Sequence, residues 1–369
     1  MKIGIVGMPN IGKSTLFNAL TKSYAAPAEN FPFCTINPNI GIVDVKDPRV
    51  DVLSELSKSQ KKIYSHIEFV DIAGLVKGAS KGEWLGNKFL SHIREVDAIV
   101  QVLRYFKDSD VVHVEWGVDA MRDVEIINTE LIFSDLEIIE RNLPNMAKKV
   151  KMGKGNKDEI RIVEILMEIQ NALIQWKIAH NIKDKLTKDD ERLIKSYNFL
   201  TIKPIVYAIN IWQDDIPYAH EIANEFMIKL QSPVAVVCAK LESEMMDMSD
   251  EDKDEFIREL VSIDKVTHIP TLNDLIKLSF EKVGLMYYFT TGEKETKSWT
   301  IPIGSTAPQA AWAIHTDFEK GFIKAEIVKY EDLISYGSWV KAKEKWLVKL
   351  EGKEYIVQDG DCIIFKFNV

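Results

Sequence analysis

The chain has 369 residues, 46% of them hydrophobic and 28% charged, with a formal net charge of −9. That length allows two or three domains, and that composition excludes a disordered or fibrous chain in favour of an ordinary soluble globular one. The negative balance excludes a globally basic nucleic-acid binder but leaves room for a local basic patch.

No apolar run approaches the ~20 residues that a membrane-spanning helix needs. Three distant cysteines, Cys34, Cys238 and Cys362, show neither metal spacing nor a disulfide framework and point to a reducing compartment. Residues 2–6 (KIGIV) read as a strand. Gly7-Met8-Pro9-Asn10-Ile11-Gly12-Lys13-Ser14 follows at once and fits G-x-x-x-x-G-K-[ST], the phosphate-binding loop of P-loop NTPases. Residues 15–20 (TLFNAL) then read as the first turns of a helix. A strand, a glycine-containing turn and a helix N-terminus converge backbone N–H groups on one point, where the helix dipole favours an anion. Lys13 is expected to reach the β- and γ-phosphates, and the Ser14 hydroxyl to ligate Mg²⁺. With a strand and a functional loop at its start, the chain is expected to lack a signal peptide and to be cytoplasmic.

Residues 31–35 (FPFCT) precede the second strand. Thr35 there would close on Mg²⁺ and the γ-phosphate as part of a switch loop; packing of two phenylalanines is the plainer reading. Residues 39–45 read as a strand, 49–56 as a short helix, and 67–72 as a strand ending on Asp71. Asp71-Ile72-Ala73-Gly74 matches the segment in which an acid holds Mg²⁺ through water and a glycine N–H, here Gly74, meets the γ-phosphate. Leu75 stands where Ras-like GTPases carry the glutamine that orients the attacking water, and leucine cannot do so. Four glycines and two lysines in 74–86 suit a second switch. Residues 98–103 read as a buried strand.

The pattern then changes. Ile127, Leu131, Leu136 and Ile139 recur at helical spacing over 124–143, and Pro144 is expected to interrupt the helix. After a polar stretch with Gly153 and Gly155, further helical patterns cover 159–179 and 189–199. This reads as a helical hairpin, 124–200, inserted into the nucleotide domain. Its tip, 141–161, carries seven Lys/Arg against two acids, which suits either a solvated turn or an RNA contact.

Residues 203–210 and 233–239 read as the fifth and sixth strands, so that 1–123 and 201–283 form a doubly wound, mainly parallel α/β sheet. Asn210-Ile211-Trp212-Gln213 lies where guanine-specific proteins carry N-K-x-D. Gln213 cannot supply the carboxylate that pairs with guanine N1–H and its 2-amino group. Ile211 or Trp212 could flank a purine, adenine becomes at least as plausible as guanine, and Asp214 would restore an acid only if the loop shifted. Cys238-Ala239-Lys240 occupies the place of S-A-K, whose backbone N–H groups meet the base. Past 285 the helical pattern stops; 286–289, 299–301, 322–328, 347–350 and 362–367 read as strands of a small, mainly β domain, 284–369. From 283 onward it carries eleven Lys/Arg and twelve Asp/Glu, which is not a basic stripe.

The stretches GMPNIGKSTLFNALT, NFPFCTINPNIG, DIAGLVKGASKGE, FLSHIREVDAI and INTELIFSDLE, with TAPQAAWAIHTDFEKGFIKAE and DGDCIIFKFNV near the C-terminus, resemble the YchF/Obg-like ATPase family. The resemblance spans essentially the whole chain, and its last part looks like a β-grasp-like TGS domain. It implies ATP preferred over GTP, slow hydrolysis with Mg²⁺, and association with the ribosome. The large subunit is the expected partner, and the charge of the tip 141–161 and the surface of the TGS domain are the candidate RNA contacts. It carries nucleotide binding onto Asn10, Ile11, Gly12, Lys13, Ser14 and Thr15, and Mg²⁺ onto Ser14 and Thr35. His113 falls at the position of the family's replacement water-positioner, with His92 a second candidate. The chain departs from the family at Gln213, where an acid is usual, and at Trp84, Trp116 and Trp312, where glycine is usual.

Overall fold

The computed structural model describes residues 1–23, 39–72, 84–106, 119–183, 185–246, 248–261 and 269–368. Strand β1 (Lys2–Val6) runs into helix α1 (Lys13–Ser23); β2 (Ile40–Val45), α2 (Pro48–Ser57), β3 (Lys61–Ile63), β4 (Ser65–Asp71), α3 (Trp84–Arg94) and β5 (Ala98–Arg104) follow. Next come four helices, α4 (Ala120–Lys151), α5 (Lys157–Ile174), α6 (His180–Lys183) and α7 (Lys188–Ile194). The chain then returns to β6 (Ile205–Asn210), α8 (Ala219–Leu230), β7 (Val234–Val237), α9 (Ala239–Met245), α10 (Asp250–Val261) and α11 (Leu272–Lys282).

Six of these seven strands, all but β3, form a sheet in the order β2-β4-β1-β5-β6-β7. Strand β1 pairs parallel with β4 and β5, and β6 parallel with β5 and β7. Every residue of β5 and β6 is buried, as expected for central parallel strands covered on both faces. The consequence for function is positional. Residues following β1, β5, β6 and β7 all emerge at the carboxyl ends of neighbouring strands, where open α/β sheets bind ligands.

Helix α4 starts on an Asp119 cap that accepts from the N–H groups of Met121 and Arg122. It runs 32 residues and passes through Pro144, so the expected interruption there does not occur. Packing outweighs the bond that proline forfeits: Ile132, Ile139 and Leu143 are buried with Val163, Leu166, Ile169 and Leu173 of α5 in one cluster. The turn closes on a capping box between Asn156 and Glu159, and α4 and α5 form the expected hairpin.

The C-terminal strands β8 (Leu285–Thr291), β9 (Glu295–Pro302), β10 (Phe322–Lys329), β11 (Lys349–Glu351) and β12 (Asp361–Phe367) lie where strands were read. Helices α12 (Ala307–Ile314), α13 (Thr316–Lys320), α14 (Tyr330–Tyr336) and α15 (Trp339–Glu344) lie between them, so the helical pattern does not stop at 285. These helices are short, five to eight residues, and only capping chemistry marks them: Thr306 and Gln309 form a capping box at α12 with Pro308 in its first turn. The second sheet has the order β11-β10-β12-β8-β9-β3.

The chain divides into two compact units. One holds the described residues within 1–25, 31–41 and 68–278, the other those within 42–67 and 279–369. Residues 42–67 therefore group with the C-terminal residues, not with the nucleotide domain to which 1–123 was assigned. The cause is non-local pairing: β3 runs parallel to β9, Ser65 donates two hydrogen bonds to Ser298 (N–H to Oγ and Oγ–H to the carbonyl), and Arg49 pairs with both Asp47 and Asp359. Nothing in the three residues of β3, Lys61-Lys62-Ile63, announces such a partner from local pattern.

Candidate nucleotide-binding site

The loop 7–14 joins β1 to α1 with left-handed backbone at Asn10 (φ 63°) and Gly12 (φ 86°). Gly12 is required twice over. Its φ disfavours any side chain, and a Cβ there would lie 2.3 Å from Asn210 Nδ2. The Leu16 N–H already donates to Gly12 O, so the helix hydrogen bonds begin at the loop itself. The Lys13 ammonium forms an ion pair with Asp71 Oδ1, and the Ser14 hydroxyl lies 3.5 Å from Asp71 Oδ2. Strands β1 and β4 are parallel neighbours with Ile5 opposite Asp71, and that register brings the acid beside the loop.

Asn210, at the end of β6, ties three segments together. Its Nδ2 donates to Ile11 O at 2.9 Å, and its Oδ1 accepts from Ala239 N at 3.1 Å. The residue is 3% exposed, so both bonds are shielded from water. Its carboxamide is thus occupied by backbone, and it shapes the site instead of offering free donors to a ligand.

Arg104, which closes β5, is 1% exposed. It donates from Nη1 to Asn10 O (3.3 Å) and from Nε to Phe106 O (3.1 Å), and its guanidinium lies 4.5 Å from the Phe106 ring centroid. Phe106 meets Trp212 at 5.5 Å between centroids, and the Lys240 ammonium sits 4.3 Å from the Trp212 ring. A cavity of about 260 Å³ opens here, lined by Asn10, Gly12, Thr15, Phe106, Asn210, Ile211, Trp212, Ala239 and Lys240.

The expected site residues fare differently. Asn10, Gly12, Thr15, Asn210, Ile211 and Ala239 line this cavity, with Ile11 buried beneath it and Lys13 and Ser14 at the loop's helical end. Gln213 does not line it; its Nε2 donates to Glu244 at 2.7 Å. Cys238 is fully buried at the start of α9, where burial pushes its thiol above the usual range. Asp214 lines a neighbouring cavity, and Asp215 caps the Trp212 N–H, so no carboxylate reaches the aromatic cavity among the described residues. Thr35, Gly74, Leu75, His113 and Trp116 lie outside the described residues, as does the side chain of Trp84. His92 is exposed near the end of α3, and Trp312 is 57% exposed on α12. Arg104 and Phe106 complete the site without having been singled out, and Lys240, read from the sequence only as part of the S-A-K-like segment, adds its ammonium over Trp212. An arginine ending the apolar run AIVQVLR was the available signal for the first.

Ser14 and Asp71 are oxygen donors suited to a hard cation. Among the described residues no group of three or more His, Cys, Asp and Glu could hold a metal alone. That combination suits Mg²⁺, which keeps waters and substrate phosphates in its shell and takes one or two protein oxygens.

Comparison with known proteins agrees with this geometry. Residues 2–139 match a family described as "50S ribosome-binding GTPase", and residues 285–368 match the YchF-GTPase C-terminal model, described as "Protein of unknown function (DUF933)". The chain is 48% identical to the "Ribosome-binding ATPase YchF" of Pasteurella multocida, over all of this chain and 99% of that one. It is 47% identical to the protein of that name in Bacillus subtilis, over 99% of each chain. It is 42% identical to "Obg-like ATPase 1" of Gallus gallus, over all of this chain and 92% of that one. The solved Schizosaccharomyces pombe YchF GTPase superposes with a TM-score of 0.85 at 35% identity, covering 99% of this chain and 97% of that one.

Proposed function

The chain belongs to the YchF family of Obg-like ATPases, and on that premise we propose that it binds ATP with Mg²⁺ at the loop 7–14, hydrolyses it slowly, and works in association with the ribosome. The observation that carries the choice of base is the chemistry of the 260 Å³ cavity. It is aromatic, with one lysine and no carboxylate among the described residues. Guanine needs an acceptor pair for N1–H and the 2-amino group, and would leave those donors unpaired here at a cost of about 1–3 kcal/mol each. Adenine has no 2-amino group and loses less.

Lys13 neutralises charge on the β- and γ-phosphates, and the loop N–H groups cradle them. Asp71 keeps the Lys13 ammonium over the loop. Ser14 and Thr35 would hold Mg²⁺ directly and Asp71 through water; the ion supplies charge neutralisation at the phosphoryl oxygens. Gly74 N–H would meet the γ-phosphate, and His113 would orient the attacking water in place of the inert Leu75. Competition of ATP and GTP for the full-length protein, against a fluorescent ATP analogue, tests the reading: ATP should compete at lower concentration, and Lys13→Ala should abolish both. Tighter GTP binding would overturn the base assignment in favour of a GTPase.

Ribosome contact is supported by the relatives' names and by the hairpin tip. Lys149 pairs with Glu159, Arg161 with Glu164 and Asp190, and Arg141 lies 3.8 Å from Glu137. Lys148, Lys151, Lys154 and Lys157 have no ion pair among the described residues, which leaves four cations for an anionic partner such as large-subunit RNA.

A further inference from the structure

A second cavity, about 560 Å³, lies at the opposite end of the parallel sheet from the phosphate loop. Its walls come from the segments that enter β5 and β6, from the end of α3, and from α6, α7 and the 3₁₀ turn Lys195–Tyr197. The other six residues of β5 separate these segments from Arg104, so roughly 20 Å divides this cavity from the nucleotide site.

The lining carries six cations, Arg94, Lys183, Lys188, Arg192, Lys195 and Lys203, against three acids, Glu95, Asp97 and Glu191. In a chain of net charge −9 this is a local reversal. Lys188, Arg192 and Lys195 fall at helical spacing on one face, and neither they nor Lys183 has an ion pair among the described residues. Asp97 is engaged by the Lys2 backbone N–H. Arg94 gives its terminal nitrogens to neutral partners, Asn198 O and Ser134 Oγ.

Lys203 is set into the wall, its ammonium donating to Arg94 O at 2.9 Å and to Val96 O. Burial pushes its pKa down to about 8. Phe199 and Ile202 add apolar surface to the same cavity. We propose that this cavity binds a small phosphorylated ligand carrying at least two phosphate groups, its anionic end against Lys188, Arg192 and Lys195 and its organic body against Phe199 and Ile202. Several separated cations suit a multiply charged anion, and the volume lies within the range of small-molecule pockets. The three acids interrupt the positive lining, which favours a compact ligand over a nucleic-acid strand that would follow a continuous basic stripe.

The test is calorimetric titration of the full-length Lys13→Ala protein, in which the phosphate loop is disabled, with inorganic tripolyphosphate at about 0.15 M salt, where the Debye length is near 8 Å. Saturable binding of one equivalent is expected, weakened at least tenfold by adding Arg192→Glu and Lys195→Glu. Both side chains are exposed, so the fold should survive, and an unchanged far-ultraviolet dichroism spectrum checks it. Absence of saturable binding, or binding indifferent to the two reversals, overturns the proposal. So does binding of single-stranded RNA, but not tripolyphosphate, through the same two residues.

Discussion

Asn210 spends both ends of its carboxamide on backbone, one on the phosphate loop and one on the start of α9. Replacing it with alanine leaves Ile11 O and Ala239 N without those partners in a buried setting, at about 1–3 kcal/mol each. Asn210→Ala should therefore lower unfolding stability by a few kcal/mol in urea titration and weaken ATP binding together, because Gly12 packs on the same amide. Stability and affinity both at the native level would refute this structural role. The residue was legible as a site position from its place at the end of an apolar strand. Its function as a tie was not, because the partners lie 199 and 29 residues away. Gln213 shows the reverse: its position suggested the base, but its side chain is taken by Glu244, an exposed contact that no local pattern encodes.

At the level of elements, periodicity served where helices were long. The hairpin α4–α5 follows from apolar residues at helical spacing: Ile139 is buried in its cluster and Leu136 packs against it, whereas Ile127 and Leu131 are buried outside that cluster. Pro144 misled because a proline's cost is local while the packing that offsets it comes from α5. The short helices of the C-terminal region are too brief for periodicity to register. The hairpin tip also separates charges that a count alone merges. Lys148, Lys151 and Lys154 are three of the four available cations, whereas Lys149 helps hold the turn through Glu159. Reversal of those three to glutamate should reduce co-sedimentation with ribosomes at moderate salt, because each lost phosphate contact removes counterion release. Undiminished pelleting would direct the search for the ribosome-facing surface elsewhere.

Across the whole molecule, the unit formed by 42–67 and 279–369 joins distant stretches of sequence. Strand β3 completes the edge of its sheet, and Ser59 reaches Gly292 O and Thr296 Oγ1. A fragment of 279–369 alone should exchange the β9 amides faster than the intact chain does, and fusing 42–67 to it should restore protection. Equal protection with and without 42–67 would show that the pairing contributes nothing. The phosphate loop, the Asp71 segment, the parallel strands and the hairpin could be read directly, because each is written in consecutive residues or in one short period. The aromatic cavity, the basic cavity and the membership of 42–67 could not. Each is assembled from side chains that become neighbours only when strand register and helix packing bring remote segments together, and that information is spread over pairwise contacts that no single stretch of sequence contains.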